Sequence, residues 1–383
     1  MKLVFIDYYD ENSSVHKDPI TIPQSLKLIG HEVELITRCK TNLNSIFGFK
    51  LKNLTHWLNE DLLFSKPDVV IAISRFDPKL TNALKIIKDK NIPLIIKGDT
   101  DGTIGYPLIP NYLRTKPILK NPLNILRHVK WRYRYSYAVK KKIDQIKLAD
   151  FVICESPKAL INLRKFFDYW KLNKARAVFI PNPVSDLCIS TKLTKKAPKI
   201  VAIGRWDDVE SKGSDLLAEV IAITHENLAD YEFVVIGNCP ESTKSLLFKS
   251  CPSNLSVTGS LSFEDTQKIL STAQILIVPS RLESFSLVTA EALCLGVSVV
   301  VTPIESLQYL AGDGRFGSVA LNFKSKSLAK ALISEVAKHK ENLRDPEVIS
   351  SYWRDKLSIS KISPNWDDLF SMTCSPFALP IKS

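Results

Sequence analysis

From its N-terminus the chain alternates short apolar runs of strand length with longer segments whose apolar residues recur at helical spacing. In the first half the runs KLVFID, HEVELITR, PDVVIAISR, PLIIKGD, DFVICES and ARAVFIPNP are separated by segments such as PKLTNALKIIKDKN and SPKALINLRKFF. Strands alternating with amphipathic helices predict a parallel sheet wrapped on both faces. The rhythm breaks at VSDLCISTKLTKKAPK, which is polar and lysine-rich. It restarts with KIVAIGRW, YEFVVIGN, QILIVPS, VSVVVTP and GSVAL, then closes in SKSLAKALISEVAKHKENL and a tail. The pattern predicts an α/β protein of two domains with a cleft between them: a first domain over 1–186, a linker over 187–198, a second domain over 199–345 and a tail over 346–383.

Bulk composition narrows the class. A chain of 383 residues, 45% hydrophobic and 24% charged, has the balance of a globular protein with two cores. Its longest apolar runs fall short of the roughly eighteen residues a membrane span needs, and MKLVFIDYYDENSS reads as a first strand rather than a signal peptide. Seven scattered cysteines without a C-x-x-C pair suggest neither a disulfide framework nor a zinc site, so a reducing cytoplasm is expected and no metal is.

The net charge of +12 becomes informative once located. Residues 1–186 hold 31 Lys and Arg against 18 Asp and Glu, whereas 187–383 hold 21 against 22. Within the first half, 114–147 carries eleven basic residues and one acid, Asp144, interleaved with Leu, Ile, Trp, Tyr and Val. That is the composition of a basic amphipathic helix on an anionic membrane surface, with a solvated helix as the plain alternative. No nucleic-acid motif accompanies the charge, and no nucleic-acid partner is expected.

In open α/β sheets ligands sit beyond the carboxyl ends of the strands. Three such ends stand out. IVAIGRWDDVESKG leaves its strand at Gly204, presents Arg205 and reaches Lys212; FVVIGNCP ends at Gly237; and ILIVPSRLESFSLVTAEAL makes a loop with Glu283 before a helix entered near Ser286. A helix mouth with two nearby cations suits a diphosphate. Glu283 and Glu291, eight positions apart, then flank that phosphate, where carboxylates only repel it unless they bind the hydroxyls on either side of it. A sugar nucleotide has such hydroxyls: Glu283 faces the sugar and Glu291 the ribose. Alone, each glutamate is better explained as a helix-end acid; it is together with Arg205 and Lys212 that the pair points to a sugar nucleotide.

With IGRWDDVESKG ahead of it, PSRLESFSLVTAEALCLGVSVV resembles the second domain of the retaining glycosyltransferases of group 1, which have the GT-B fold. The resemblance implies two Rossmann-like domains facing across a cleft, a nucleotide-diphosphate sugar held mainly by the C-terminal domain, a saccharide or lipid-linked acceptor on the N-terminal one, and no cofactor or metal. It implies that Arg205 and Lys212 stabilise the leaving diphosphate, that Glu283 touches the donor sugar, and that Gly204, Gly237 and the backbone through Ser284, Phe285, Ser286, Leu287 and Val288 line the donor. It also implies that the tail, around NWDDLF, crosses back to the first domain.

Two departures matter. IDYYDENSSVHKDP has no glycine where many members carry a glycine-rich loop, and IIKGDTDGTIG stands where many show a histidine. Asp101 is therefore expected among the catalytic residues and Asp99 among the substrate contacts of an acceptor-side loop. The same D-x-D also reads as an ordinary turn, or as the metal mark of the other large glycosyltransferase fold. A role in cell-surface glycan synthesis at the inner face of the membrane follows from the resemblance and the basic segment together. A sugar-nucleotide epimerase of the same fold and a non-catalytic scaffold remain the alternatives.

Overall fold

The apolar runs fold as the parallel strands of two separate sheets. The computed structural model describes residues 1–10, 18–64, 66–74, 78–98, 122–249 and 253–374. One unit comprises Met1–Pro181 with the chain from Ser363, the other Asn182–Ile362.

In the first unit, β1 (Lys2–Asp7), β2 (Glu32–Thr37), β3 (Ser45–Ile46), β4 (Phe49–Asn53), β5 (Val69–Ser74), β6 (Leu94–Gly98), β7 (Phe151–Cys154) and β8 (Ala177–Phe179) take the order β3-β4-β2-β1-β5-β6-β7-β8. All neighbours pair in parallel except β3 and β4, which form an antiparallel hairpin at the edge. Every residue of β5 is buried, as a central strand covered on both faces requires. The connecting helices are α1 (Asp18–Leu28), α2 (Pro78–Asp89), α3 (Pro122–Leu148) and α4 (Pro157–Tyr169). The start of α4 is dictated locally: the Ser156 hydroxyl accepts the Ala159 N–H at 3.1 Å, and Pro157 fills a first-turn position that needs no donor.

The second unit has β9 (Ala197–Ile203), β10 (Glu232–Ile236), β11 (Leu255–Gly259), β12 (Ala273–Val278), β13 (Ser298–Val301) and β14 (Gly317–Val319), all parallel, in the order β11-β10-β9-β12-β13-β14. This is the doubly wound order, and its direction reverses between β9 and β12. The unit's helices include α5 (Ser214–Thr224), α6 (Phe263–Thr272), α7 (Leu287–Cys294) and α8 (Pro346–Leu357), and α9 (Ile359–Cys374) runs from it into the first unit.

Two stretches differ from the sequence reading. The expected linker is not free: Cys188 is fully buried, Arg354 donates to the Thr191 carbonyl at 2.6 Å, and the Lys196 ammonium donates to the carbonyls of Ser271 and Leu295 at 2.6 Å each. Inward-facing Cys188 and the Lys196 ammonium tie it to the second unit, and β9 starts at Ala197. The tail divides. α8 packs in the second unit, where the Ser350 hydroxyl donates to the Cys294 carbonyl at 2.6 Å. In the first unit Trp366, Leu369 and Phe370 are buried, and Asp367 lies 2.8 Å from the His31 ring. Among the described residues no helix is long and apolar enough to cross a membrane.

Candidate functional site

The reversal point between β9 and β12 is built from close backbone contacts. Gly237 has φ +122°, and a Cβ there would lie 1.9 Å from the Gly204 carbonyl oxygen, so only glycine lets the ends of β9 and β10 abut. Trp206 closes the space beneath: it is buried, and its indole N–H donates to the Ile236 carbonyl at 2.9 Å. Gly213 (φ +68°) repeats the device one turn later, where a Cβ would meet the Pro279 carbonyl at 2.2 Å.

That approach lays the one-turn helix Val209–Lys212 against the loop after β12. Asp208 caps this turn, accepting the Ser211 N–H at 3.1 Å, and the Ser211 carbonyl in turn accepts the Arg281 N–H at 2.7 Å. Arg281 then grips Asp215 with two bonds of 2.8 and 2.7 Å, a bidentate geometry that only guanidinium offers. The Thr302 hydroxyl donates to the Ser280 carbonyl at 2.5 Å. The loop carrying Glu283 is therefore fixed from several directions.

Within this frame the Lys212 ammonium lies 2.7 Å from Glu283 Oε1, and the Ser280 hydroxyl donates to the same oxygen at 2.7 Å. Arg205 stands apart from this pair: its side chain is 74% exposed, with Asp208 at 3.7 Å. The loop enters α7 through Ser286, which has left-handed backbone (φ 71°, ψ 77°) and whose hydroxyl lies 2.8 Å from that of Thr289. Phe285 is buried beside it. The N–H groups of Leu287 and Val288, in the first turn, have no acceptor within the helix. Fixed donors, a dipole end and a lysine thus converge where an anion can be held.

Glu291 points inward. It is 8% exposed, and the Gln267 side-chain amide of α6 donates to its Oε2 at 3.2 Å. Gln267 in turn accepts from the Cys188 thiol at 3.2 Å. Burial pushes the Glu291 carboxyl up to about 8, with the Gln267 bond pulling the other way. Asp99 and Asp101 lie outside the described residues. Sequence reasoning missed Ser280, the Arg281–Asp215 clamp, Trp206 and Gln267. Each acts through a partner distant in the chain, and no local spacing announces it.

Comparison with known proteins adds an independent line. Residues 197–337 match the family model Glycosyl transferases group 1. An uncharacterized 41.2 kDa protein of the cps region of Klebsiella pneumoniae is 30% identical over 137 residues, 36% of each chain. The alpha-D-kanosaminyltransferase of Streptomyces kanamyceticus is 24% identical over 138 residues, 35% of each chain. The chain thus spans about a third of the length of these curated relatives. Among solved structures, WaaG, a glycosyltransferase of lipopolysaccharide biosynthesis, superposes with a TM-score of 0.66 at 16% identity, covering 96% of this chain and 99% of that one. Anabaena HepE in complex with UDP superposes at 0.69 and 11% identity, covering 97% and 100%. These structures share the GT-B α/β fold with both units.

Proposed function

We propose that this chain, whose residues 197–337 match the family model Glycosyl transferases group 1, transfers a sugar, with retention, from a nucleotide-diphosphate donor to a saccharide or lipid-linked acceptor in cell-surface glycan synthesis. The observation that carries this reading is the Lys212–Glu283 pair set beside the mouth of α7 at the reversal point of the sheet. The names of the relatives support it: one lies in a cps region, one is a kanosaminyltransferase, and HepE was solved with UDP.

In this reading the diphosphate lies over the first turn of α7. Lys212 and Arg205 neutralise the charge that grows on it as the sugar–phosphate bond breaks, which lowers the barrier because the donors are already in place. The acceptor hydroxyl attacks the same face, and its proton passes to the departing phosphate. Glu283 holds Lys212 before the donor arrives and then accepts from a sugar hydroxyl, while Ser280 keeps its carboxylate aimed. Glu291 accepts from the ribose, and Gly204 and Gly237 let the nucleotide approach the backbone. Asp99 and Asp101 serve the acceptor, and the reaction needs no metal.

A thermal-shift panel of nucleoside diphosphates and their sugars tests the donor site, since a ligand bound only by the folded state must raise its stability. One diphosphate series is expected to raise the midpoint, and Lys212→Ala to abolish the rise. A rise unaffected by Lys212→Ala and Arg205→Ala would move the phosphates elsewhere.

A further inference from the structure

Helices α2, α3 and α4 follow β5, β6 and β7 and cover one face of the first sheet. Leu84 and Ile87 of α2, Ile146 of α3, and Leu163 and Phe167 of α4 belong to one buried core with the strands beneath. Their opposite sides therefore form one outer surface, with neighbouring axes about 10 Å apart.

Large apolar and aromatic side chains interrupt that surface, among exposed polar residues that include Asn82, Lys85 and Asp89 on α2. On α3, Val129, Tyr133 and Tyr137 recur every four residues along one side and are exposed, Tyr133 by 75%. On α4, Ile161, Lys165 and Tyr169 repeat the same spacing, and Tyr169 is 79% exposed. Trp170 stands edge-on to Tyr169, with ring centroids 5.3 Å apart, and is itself exposed. Ile86 adds an exposed side chain on α2. Cations stand among them: Lys140 and Lys141 on α3, the latter 5.6 Å over the Tyr137 ring, with Arg164, Lys165 and Lys171 on and just past α4. Asp168 is the acid nearest Tyr169 in the chain, and it is paired with Lys174.

We propose that this three-helix surface docks the first unit on an anionic lipid leaflet, with Tyr133, Tyr137, Tyr169 and Trp170 at headgroup level and the lysines among the phosphates. Tyrosine and tryptophan seat one polar edge in water and an apolar body in the acyl boundary, while flexible lysines follow a diffuse charge that needs no fixed geometry. These side chains are spread over three helices with cations between them, a diffuse pattern that suits a fluid layer of anionic headgroups. The inference rests on the transferase reading above for its purpose, presenting a lipid-linked acceptor, and extends the expected contact beyond the basic segment to α2 and α4. The surface itself stands on the exposed residues.

The test uses the full chain, sedimented with phosphatidylcholine vesicles containing or lacking phosphatidylglycerol, at low and high salt. Binding is expected to anionic vesicles only and to weaken as salt screens it. Tyr169→Ser with Trp170→Ser, and separately Lys140, Lys141, Lys165 and Lys171→Gln, are each expected to weaken binding at least about tenfold, since each charge contributes several-fold. All these positions are exposed except half-buried Lys141, and unchanged thermal midpoints check that both variants fold. Equal binding to neutral vesicles, or undiminished binding by either variant, overturns the proposal. Self-association through this face that the aromatic variant abolishes, without vesicle binding, overturns it too. The nucleotide-induced thermal shift is read on the same samples: a retained shift without vesicle binding sinks the docking surface alone, and vesicle binding without a shift sinks the donor reading alone.

Discussion

Lys212 and Glu283, 71 residues apart in the chain, meet at 2.7 Å beside the first turn of α7. Backbone approaches possible only because Gly213 and Gly237 lack a Cβ bring them there. The consequences can be measured.

Removing either partner should separate binding from chemistry. Lys212→Ala is expected to lower kcat/KM by about 10² to 10³, the effect of losing one preorganised donor to a charge that develops in the transition state. Glu283→Gln keeps shape and hydrogen bonding but removes charge, and its loss should fall on kcat more than on KM. Near-parental kinetics in Glu283→Gln would remove it from the reacting sugar.

Glu291 should make stability depend on pH. Its carboxyl is held well above the ordinary 4.5, at about 8, by burial. Between those values the folded state keeps a proton that the unfolded chain has lost, so stability is full below about 4.5 and falls as pH rises toward 8. Urea unfolding at pH 5 and pH 8 should show the parent losing on the order of 3 kcal/mol, and Glu291→Gln losing much less. A flat parental profile would mean the group is less enclosed than its contacts suggest.

Gln267 is a positioning residue for that carboxylate. Gln267→Leu is expected to raise KM for the nucleotide donor severalfold with little change in kcat, and to push the Glu291 titration further up by removing its donor. Gln267→Asn, shorter by one carbon, should recover little. An altered kcat with unchanged donor KM would assign Gln267 to the fold alone.

Backbone conformation can be tested without touching charge. Gly237→Ala places a Cβ against a carbonyl and should cost about 3 kcal/mol or more, as overpacking does at its upper range. Ser286 already sits in left-handed backbone, which costs a non-glycine residue about 1 kcal/mol. Ser286→Gly should therefore shift stability by less than about 1 kcal/mol, while Ser286→Val should destabilise clearly. Denaturant midpoints of the three variants decide.

Transfer activity should survive EDTA. Complete loss restored by manganese would promote Asp99 and Asp101 to metal ligands and overturn the proposed metal-free mechanism.

The sequence by itself determined the two α/β units, because eleven of the fourteen strands in the described residues are apolar runs whose period and flanks mark them without reference to any partner. It also pointed to Arg205, Lys212, Glu283 and the mouth of α7, since strand ends and helix starts are local events. Tertiary structure alone decided the rest. β3, β4 and β11 escaped notice: they sit at or next to sheet edges, where burial on one side leaves no continuous apolar run, and pairing with neighbours already formed defines them. The polar stretch after residue 186 looked like a linker because one buried cysteine and three backbone-capping contacts leave no periodic trace. The two glutamates looked alike in sequence. Both came to lie nearly buried, yet one became the partner of Lys212 and Ser280 and the other an acid held by Gln267, because the close approach at Gly213 and the position of α6 beside α7 chose their neighbours, and neighbours are not written in spacing.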